Sequence, residues 1–126
     1  MIIVAKKNAR RYKRDMIESY LLVSKKTSDS ENLTVTVVEM QSNGFQRIHA
    51  HEPEQMYYIL KGTGIIYVDG EEKKVGVGDC VFFKSFSKHG LRNIGDTVLS
   101  YLSAASPSFP IDICDKAWPL PPRKGA

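Results

Sequence analysis

The sequence predicts an all-β fold, a barrel or sandwich of short strands, and three observations lead there. Leu33-Thr34-Val35-Thr36-Val37-Val38 alternates apolar and hydroxyl side chains and is rich in β-branched residues, the pattern of a half-buried strand. From Gln46 onward, short extended stretches follow one another with turn signals at close intervals. The middle of the chain carries no long helical pattern.

With 126 residues, 42% of them hydrophobic and 25% charged, the chain predicts one globular domain with a real core. Residues 5–19 are polar, weakly helical in flavour or loosely wrapped, and read as part of an N-terminal arm, 1–19. Tyr20 to Val23 reads as a strand, and Ser24 to Asn32 as a loop. After the strand from Leu33, Asn43-Gly44 marks a turn. The following strands are expected at Gln46–Ala50, Met56–Leu60, Gly64–Val68, Glu72–Val75, Cys80–Lys84, Gly90–Asn93 and Thr97–Ser103. Asp69-Gly70 has the composition of a two-residue type I′ hairpin turn. The core therefore spans about 20–104. The tail, 105–126, holds Pro107, Pro110, Pro119, Pro121 and Pro122 with Phe109, Ile111, Ile113 and Trp118 between them. Proline cannot donate to a ladder, so the tail is expected to pack across the barrel surface or against a second subunit.

The net charge is +4, and Lys6, Lys7, Arg10, Arg11, Lys13 and Arg14 cluster near the N-terminus. With no aromatic stacking series and no zinc-finger spacing beside it, this cluster reads as a solvated basic face, and nucleic acid is not an expected partner. No apolar run reaches the length a membrane helix needs, and Met1-Ile2-Ile3-Val4 is too short for a signal-peptide core, so a cytoplasmic location is expected. Cys80 and Cys114 read as reduced thiols with no assigned chemistry.

The chain has three histidines, and two of them form His49-Ala50-His51. On an extended segment, residues one apart point to the same side, so the two imidazoles form a chelating pair for a first-row transition metal. Taken alone, that pair is a weak signal. The frame around it is more specific. Gly44, His49, His51, Gln55 and Gly62 follow the spacing of a glycine, an HxH, an acidic ligand and a second glycine. Gly78, Lys84-Ser85-Phe86, His89 and Asn93 follow a glycine, a PxG turn, a histidine and an asparagine. Together these resemble the two signatures of the cupin superfamily, over roughly residues 33–103. Three departures stand out. The PxG turn is Lys84-Ser85-Phe86, the first spacer is one residue short, and glutamine stands at position 55 where the family has glutamate.

The resemblance implies a cupin-type double-stranded β-helix, a jelly-roll barrel with short N- and C-terminal extensions. It implies that His49, His51, Gln55 and His89 converge on one divalent transition metal, with Zn, Ni, Fe, Co, Cu and Mn all compatible with the ligands. Glutamine here occurs among cupins that act on uronates and among polyketide cyclases. Three imidazoles and an amide leave a divalent site more positive than a carboxylate would, which predicts weaker metal binding but stronger polarisation of a bound oxygen. Glu52 and Glu54 are alternative ligands, disfavoured by strand parity. An empty, structural barrel is a further alternative.

The same parity turns Arg47, Tyr57, Ile59, Val81 and Phe83 inward. Arg47 is expected to pair with a substrate carboxylate or to sit at the barrel mouth in water, and Tyr57 to donate a proton or to fill the barrel. The expected function is a small metalloenzyme of isomerase, lyase or cyclase type. It would use the metal as a Lewis acid on a small, oxygen-rich, sugar-acid-like molecule. A metal-dependent dioxygenase and a non-catalytic small-molecule or sugar binding module are the alternatives. A homodimer is expected, with Ile2-Ile3-Val4 and the segment Phe109 to Trp118 covering sheet edges.

Overall fold

A computed structural model describes residues 1–109. Among these, nine strands form two sheets: β1 (Arg10–Arg14), β2 (Ile17–Val23), β3 (Thr34–Met40), β4 (Glu54–Lys61), β5 (Thr63–Val68), β6 (Glu71–Gly76), β7 (Cys80–Phe83), β8 (His89–Asn93) and β9 (Leu99–Ser106). The larger sheet runs β1-β2-β3-β9-β4-β7 and the smaller β6-β5-β8. Their inner faces share one core, with Val38, Met40, Tyr57, Ile59, Leu99 and Tyr101 from the first meeting Ile66, Val75 and Leu91 from the second. This is the all-β architecture that the alternating pattern predicts, in the jelly-roll form that the resemblance implies. No described helix is long and apolar enough to cross a membrane.

Strand β3 keeps the period of two throughout, with Thr34, Thr36, Val38 and Met40 all buried. Pairing continues that inner face in rows across the sheet. One row is Thr34–Ala105–Gln55–Phe83, the next Leu21–Thr36–Ser103–Tyr57–Val81, and the third Ser19–Val38–Tyr101–Ile59. The first two rows are rich in hydroxyl and amide groups, and the barrel becomes apolar toward Met40 and Leu99. The site is built at the polar end.

Three elements differ from the sequence expectation. The strand expected at Gln46–Ala50 does not form, since that stretch meets β8 only through isolated bridges at Phe45 and His49. Residues 5–19 are neither helical nor loose. After one 3-10 turn (Lys6–Asn8) they form β1, paired antiparallel to β2 from Arg10↔Leu21 to Arg14↔Ile17. The basic residues hide this strand because charged side chains on an exposed sheet edge erase the apolar alternation. Acidic partners from inside the sheet temper the charge: Lys6 pairs with Glu39 at 2.9 Å, and Arg11 and Lys13 approach Glu18 at 3.7 and 3.9 Å. The loop expected at Ser24 to Asn32 contains one helical turn (Lys25–Ser28), because the Ser24 hydroxyl caps Thr27 N–H at 3.0 Å.

The turn chemistry holds. Asp69 and Gly70 both have positive φ, 45° and 94°, as a type I′ hairpin requires. Gly44 is tightly enclosed: a Cβ there would lie 2.7 Å from Met40 Cγ and 2.8 Å from Gln41 O. Asn93, buried nearby, donates to Met40 O (3.0 Å) and Thr97 O (2.8 Å) and accepts from Gly95 N–H (2.9 Å). The motif glycine and asparagine thus clasp the loops at the apolar end of the barrel. Of the tail, Phe109 is buried in the interior, not laid on the outer surface, while Pro110, Ile111, Ile113, Cys114, Trp118, Pro119, Pro121 and Pro122 lie outside the described residues.

Candidate metal centre

Three separate pieces of chain bring the site together. Residues 45–49 run antiparallel to β8, with bridges Phe45↔Arg92 and His49↔His89. His51 follows on an irregular stretch, its carbonyl held by Phe86 N–H at 2.8 Å. Gln55 is the second residue of β4 and faces inward, as the parity predicts. The three imidazoles lie 4.4 to 5.4 Å apart by ring centroid, and one ligating nitrogen from each falls within 4.8 Å of the others.

Each ring is oriented by a backbone carbonyl two residues away. The Nδ1 atoms lie 2.7 Å from Arg47 O (His49), 2.9 Å from Pro53 O (His51) and 2.9 Å from Ser87 O (His89). A carbonyl only accepts, so each Nδ1 carries its proton and each Nε2 keeps a free lone pair. This is how ring orientation and tautomer are fixed at metal-binding histidines. Gln55 Nε2 donates to Ser103 Oγ at 2.7 Å, which turns its Oε1 to His51 Nε2 at 2.9 Å and His89 Nε2 at 3.2 Å. Those contacts set acceptor against acceptor. A cation resolves the conflict; without one, the amide must turn over so that its NH₂ faces the histidines. The donor set fits a divalent transition metal.

Burial favours the neutral form of two of the rings, His49 and His89. It pushes His89 down to about 4, with the neighbouring His49 adding to the effect, and it also lowers His49, with His51 adding. Phe83 stacks on His89 at 4.2 Å and 17°, fixing the ring plane.

The expected site residues separate here. His49, His51, His89 and Gln55 come together. Tyr57 lies in the same cavity, its hydroxyl donating to Gln46 Oε1 at 2.8 Å, and burial raises that phenol far above its usual range. Arg47 is not brought to the cluster. Its side chain lines a cavity of about 460 Å³ on the outer face of the small sheet, beside Ile48, Ile65 and Arg92. Parity fails because residues 45–51 bridge to β8 only at 45 and 49, so the regular alternation that would turn Arg47 inward is interrupted. Gln46 faces the inner cavity instead. Glu52 and Glu54 are exposed and away from the histidines.

The Cupin domain family matches residues 36–105, more than half of the chain. The chain is a cupin. This cupin is 28% identical over 88 residues to an oxalate-binding protein of Thermotoga maritima, covering 69% of this chain and 73% of that protein. It superposes on the crystal structure of a predicted oxalate decarboxylase, also from Thermotoga maritima, with a TM-score of 0.76 at 21% identity, over 85% of this chain and 99% of the other. The polyketide cyclase RemF from Streptomyces resistomycificus gives 0.75 at 21% identity, over 87% and 82%. At that identity the structural likenesses establish the fold.

Sequence reasoning missed what surrounds the candidate ligands in this cupin. The inner cavity is small, about 30 Å³, and Gln46, Thr36, Tyr101, Ser103 and Phe109 contribute to its wall. Phe109 stands edge-on to His51 at 5.0 Å. Its amide donates to Thr34 Oγ1 at 2.8 Å, and Ser108 Oγ donates to Leu33 O at 3.0 Å, fastening the segment after β9 to the start of β3. The regular alternation of β3 and β9 could have indicated Thr36 and Tyr101. Nothing local indicated Phe109, whose neighbours in sequence are serine and proline.

Proposed function

We propose that His49, His51, Gln55 and His89 hold one divalent transition metal, and that this cupin is a metalloenzyme acting on a small, oxygen-rich, anionic molecule. The observation that carries this reading is the convergence of His51 Nε2 and His89 Nε2 on Gln55 Oε1, all acceptors, at 2.9 and 3.2 Å. When bound, the metal would supply Lewis-acid polarisation of a substrate oxygen. The carbonyls of Arg47, Pro53 and Ser87 hold the three rings in the ligating tautomer. Ser103 holds the Gln55 amide, which leaves the site without an acidic ligand and therefore attractive to anions. Tyr57 keeps its proton and donates it as a hydrogen bond to Gln46 Oε1, which fixes the Gln46 side chain at the cavity wall. Phe109 and Phe83, both buried, pack against the His51 and His89 rings.

Likeness to proteins named for oxalate binding and oxalate decarboxylation makes oxalate the first compound to test. Metal analysis after metal-replete purification is expected to give about one equivalent for the wild type and a loss for His49→Ala and His89→Ala. Less than about a tenth of an equivalent in the wild type sinks the reading. Oxygen uptake by iron- or nickel-loaded protein, screened over catechols, flavonols and thiols, separates dioxygenase chemistry from Lewis-acid chemistry. Binding without turnover is a second reading, which persistent ligand binding with no product formation supports. The proposal extends to a cytoplasmic homodimer. Ile2 and Ile3 are 65% and 82% exposed and available to a second copy, and a monomeric mass by light scattering at micromolar concentration excludes that assembly.

A further inference from the structure

We propose that the outer face of the small sheet holds a second binding site, for a flat aromatic molecule that carries one acidic group. Its cavity of about 460 Å³ falls in the range of roughly 300–1,000 Å³ usual for small-molecule pockets. The inner cavity beside the histidines, about 30 Å³, is far too small for the same molecule. The two spaces lie on opposite sides of the wall made by residues 45–49 and β8, and only Gln46 contributes to both. The outer site therefore stands independently of the metal centre.

Strand parity builds the pocket. Ile66, Val68, His89 and Leu91 turn into the barrel, so Ile65, Tyr67, Gly90 and Arg92 face outward. Ladder register sets Ile65 opposite Arg92 and Tyr67 opposite Gly90, and Phe45 bridges to Arg92 at the edge. Gly90 adds no side chain to the floor. Phe45 and Ile48, 60% and 51% exposed, form an apolar flank. Large apolar side chains held in water around a cavity are a surface that an apolar ligand can cover. Phe45 and Tyr67 offer rings for stacked or edge-on contact, and guanidinium groups also stack on aromatic planes, which selects a flat ring system over a flexible chain.

Charge selects the acid. Among the described lining residues Arg47 and Arg92 are cationic and Glu72 is the one acid, which leaves a single positive charge in excess. Arg92 meets Glu72 at 2.9 Å, and a guanidinium with five N–H groups keeps donors for a second acid. A carboxylate on the ligand brings the lining to neutrality, whereas an amine doubles the excess.

The test titrates naphthoate, naphthalenemethanol and naphthylmethylamine into metal-free and cobalt-loaded protein by calorimetry, so that one ring system is presented with a negative, a neutral and a positive group. Naphthoate is expected to bind with a dissociation constant on the order of 0.1 mM, equally in both forms, with the alcohol about tenfold weaker and the amine weaker still. Phe45→Ala should weaken naphthoate by about tenfold through lost ring contact. Arg47→Met should narrow the preference for acid over alcohol. Glu72→Gln should strengthen naphthoate by about threefold or more, because it removes the one acid of the lining and releases Arg92. Glu72 is half exposed, and a gain of affinity there is not an effect of damaged folding.

Absence of saturable naphthoate binding overturns the proposal, as does binding that Phe45→Ala and Glu72→Gln both leave unchanged. Equal affinity for the acid and the alcohol overturns the choice of an acid. Naphthoate binding seen only in the cobalt-loaded protein belongs to the metal centre and overturns the outer site. A wild-type dimer that takes up no naphthoate, and that Phe45→Asp turns into a monomer, shows a second copy on this face and likewise overturns it.

Discussion

His49 and His89 face each other across an isolated antiparallel bridge, each donating its backbone N–H to the other's carbonyl at 3.0 and 2.9 Å. Two candidate ligands 40 positions apart in sequence are thereby fixed by the backbone itself. Their ring centroids lie 4.4 Å apart. Preorganisation of this kind lowers the entropic cost of binding.

Gln55→Glu should tighten metal binding by at least about tenfold, since a carboxylate adds a charge where the amide offers only a dipole. The Ser103 hydroxyl, which now accepts from the amide at 2.7 Å, can reverse and donate to the second carboxylate oxygen. Competition against a colorimetric chelator measures the change. Equal affinity would remove Gln55 from the ligand set.

Metal-free protein should lose stability as the pH falls. His89 is held down to about 4, against an ordinary value of 6.5 that the unfolded chain regains. Between those values the unfolded state binds the proton and the folded state does not, so unfolding becomes easier as pH drops below 6.5 and the loss levels off near 4. The full effect is about 3 kcal/mol from His89, and His49 adds in the same direction. Denaturant melts from pH 7 to 4 on wild type and His89→Gln check the sign, the variant being the flatter of the two.

Phe86→Gly should stabilise the fold by about 0.5–1 kcal/mol, the relief of a left-handed conformation less the added freedom of glycine in the unfolded chain. Phe86 occupies the place of the family's glycine and has φ of 63° with 66% of its surface exposed, so its side chain loses little packing. A denaturant midpoint that moves down would show the aromatic ring to be holding that loop.

Asn93→Ala should destabilise by about 1–3 kcal/mol, because it strands the buried Met40 carbonyl and releases the part-buried Thr97 carbonyl and Gly95 N–H. Metal content per folded molecule should stay unchanged, since the clasp lies away from the histidines. Chemical denaturation combined with metal analysis reads both quantities.

Much of this was legible locally. The period of two in β3, the Asp69-Gly70 turn and the spacing of the two motifs each express a rule that acts over a few residues, and each was met in the fold. Where the pattern depends on neighbours far along the chain, the sequence was silent or misleading. β1 is a strand because β2 and β3 lie beside it, although its own residues are arginine and lysine. Arg47 faces the outer cavity because the stretch around it bridges to β8 only at Phe45 and His49.

By itself, then, the sequence determined an all-β barrel, the four candidate ligands and the substitution of an amide for a carboxylate among them. The barrel follows from strand periodicity, a property of short segments, and the four candidate ligands from the resemblance of the two motifs to the cupin signatures. The tertiary structure alone decided that each Nδ1 meets a carbonyl and that Gln55 Oε1 turns to the histidines. It also decided that Phe109 stands edge-on to His51 in the wall of the inner cavity. Those facts depend on which strands pair and in what register, and register is set by the packing of the whole barrel.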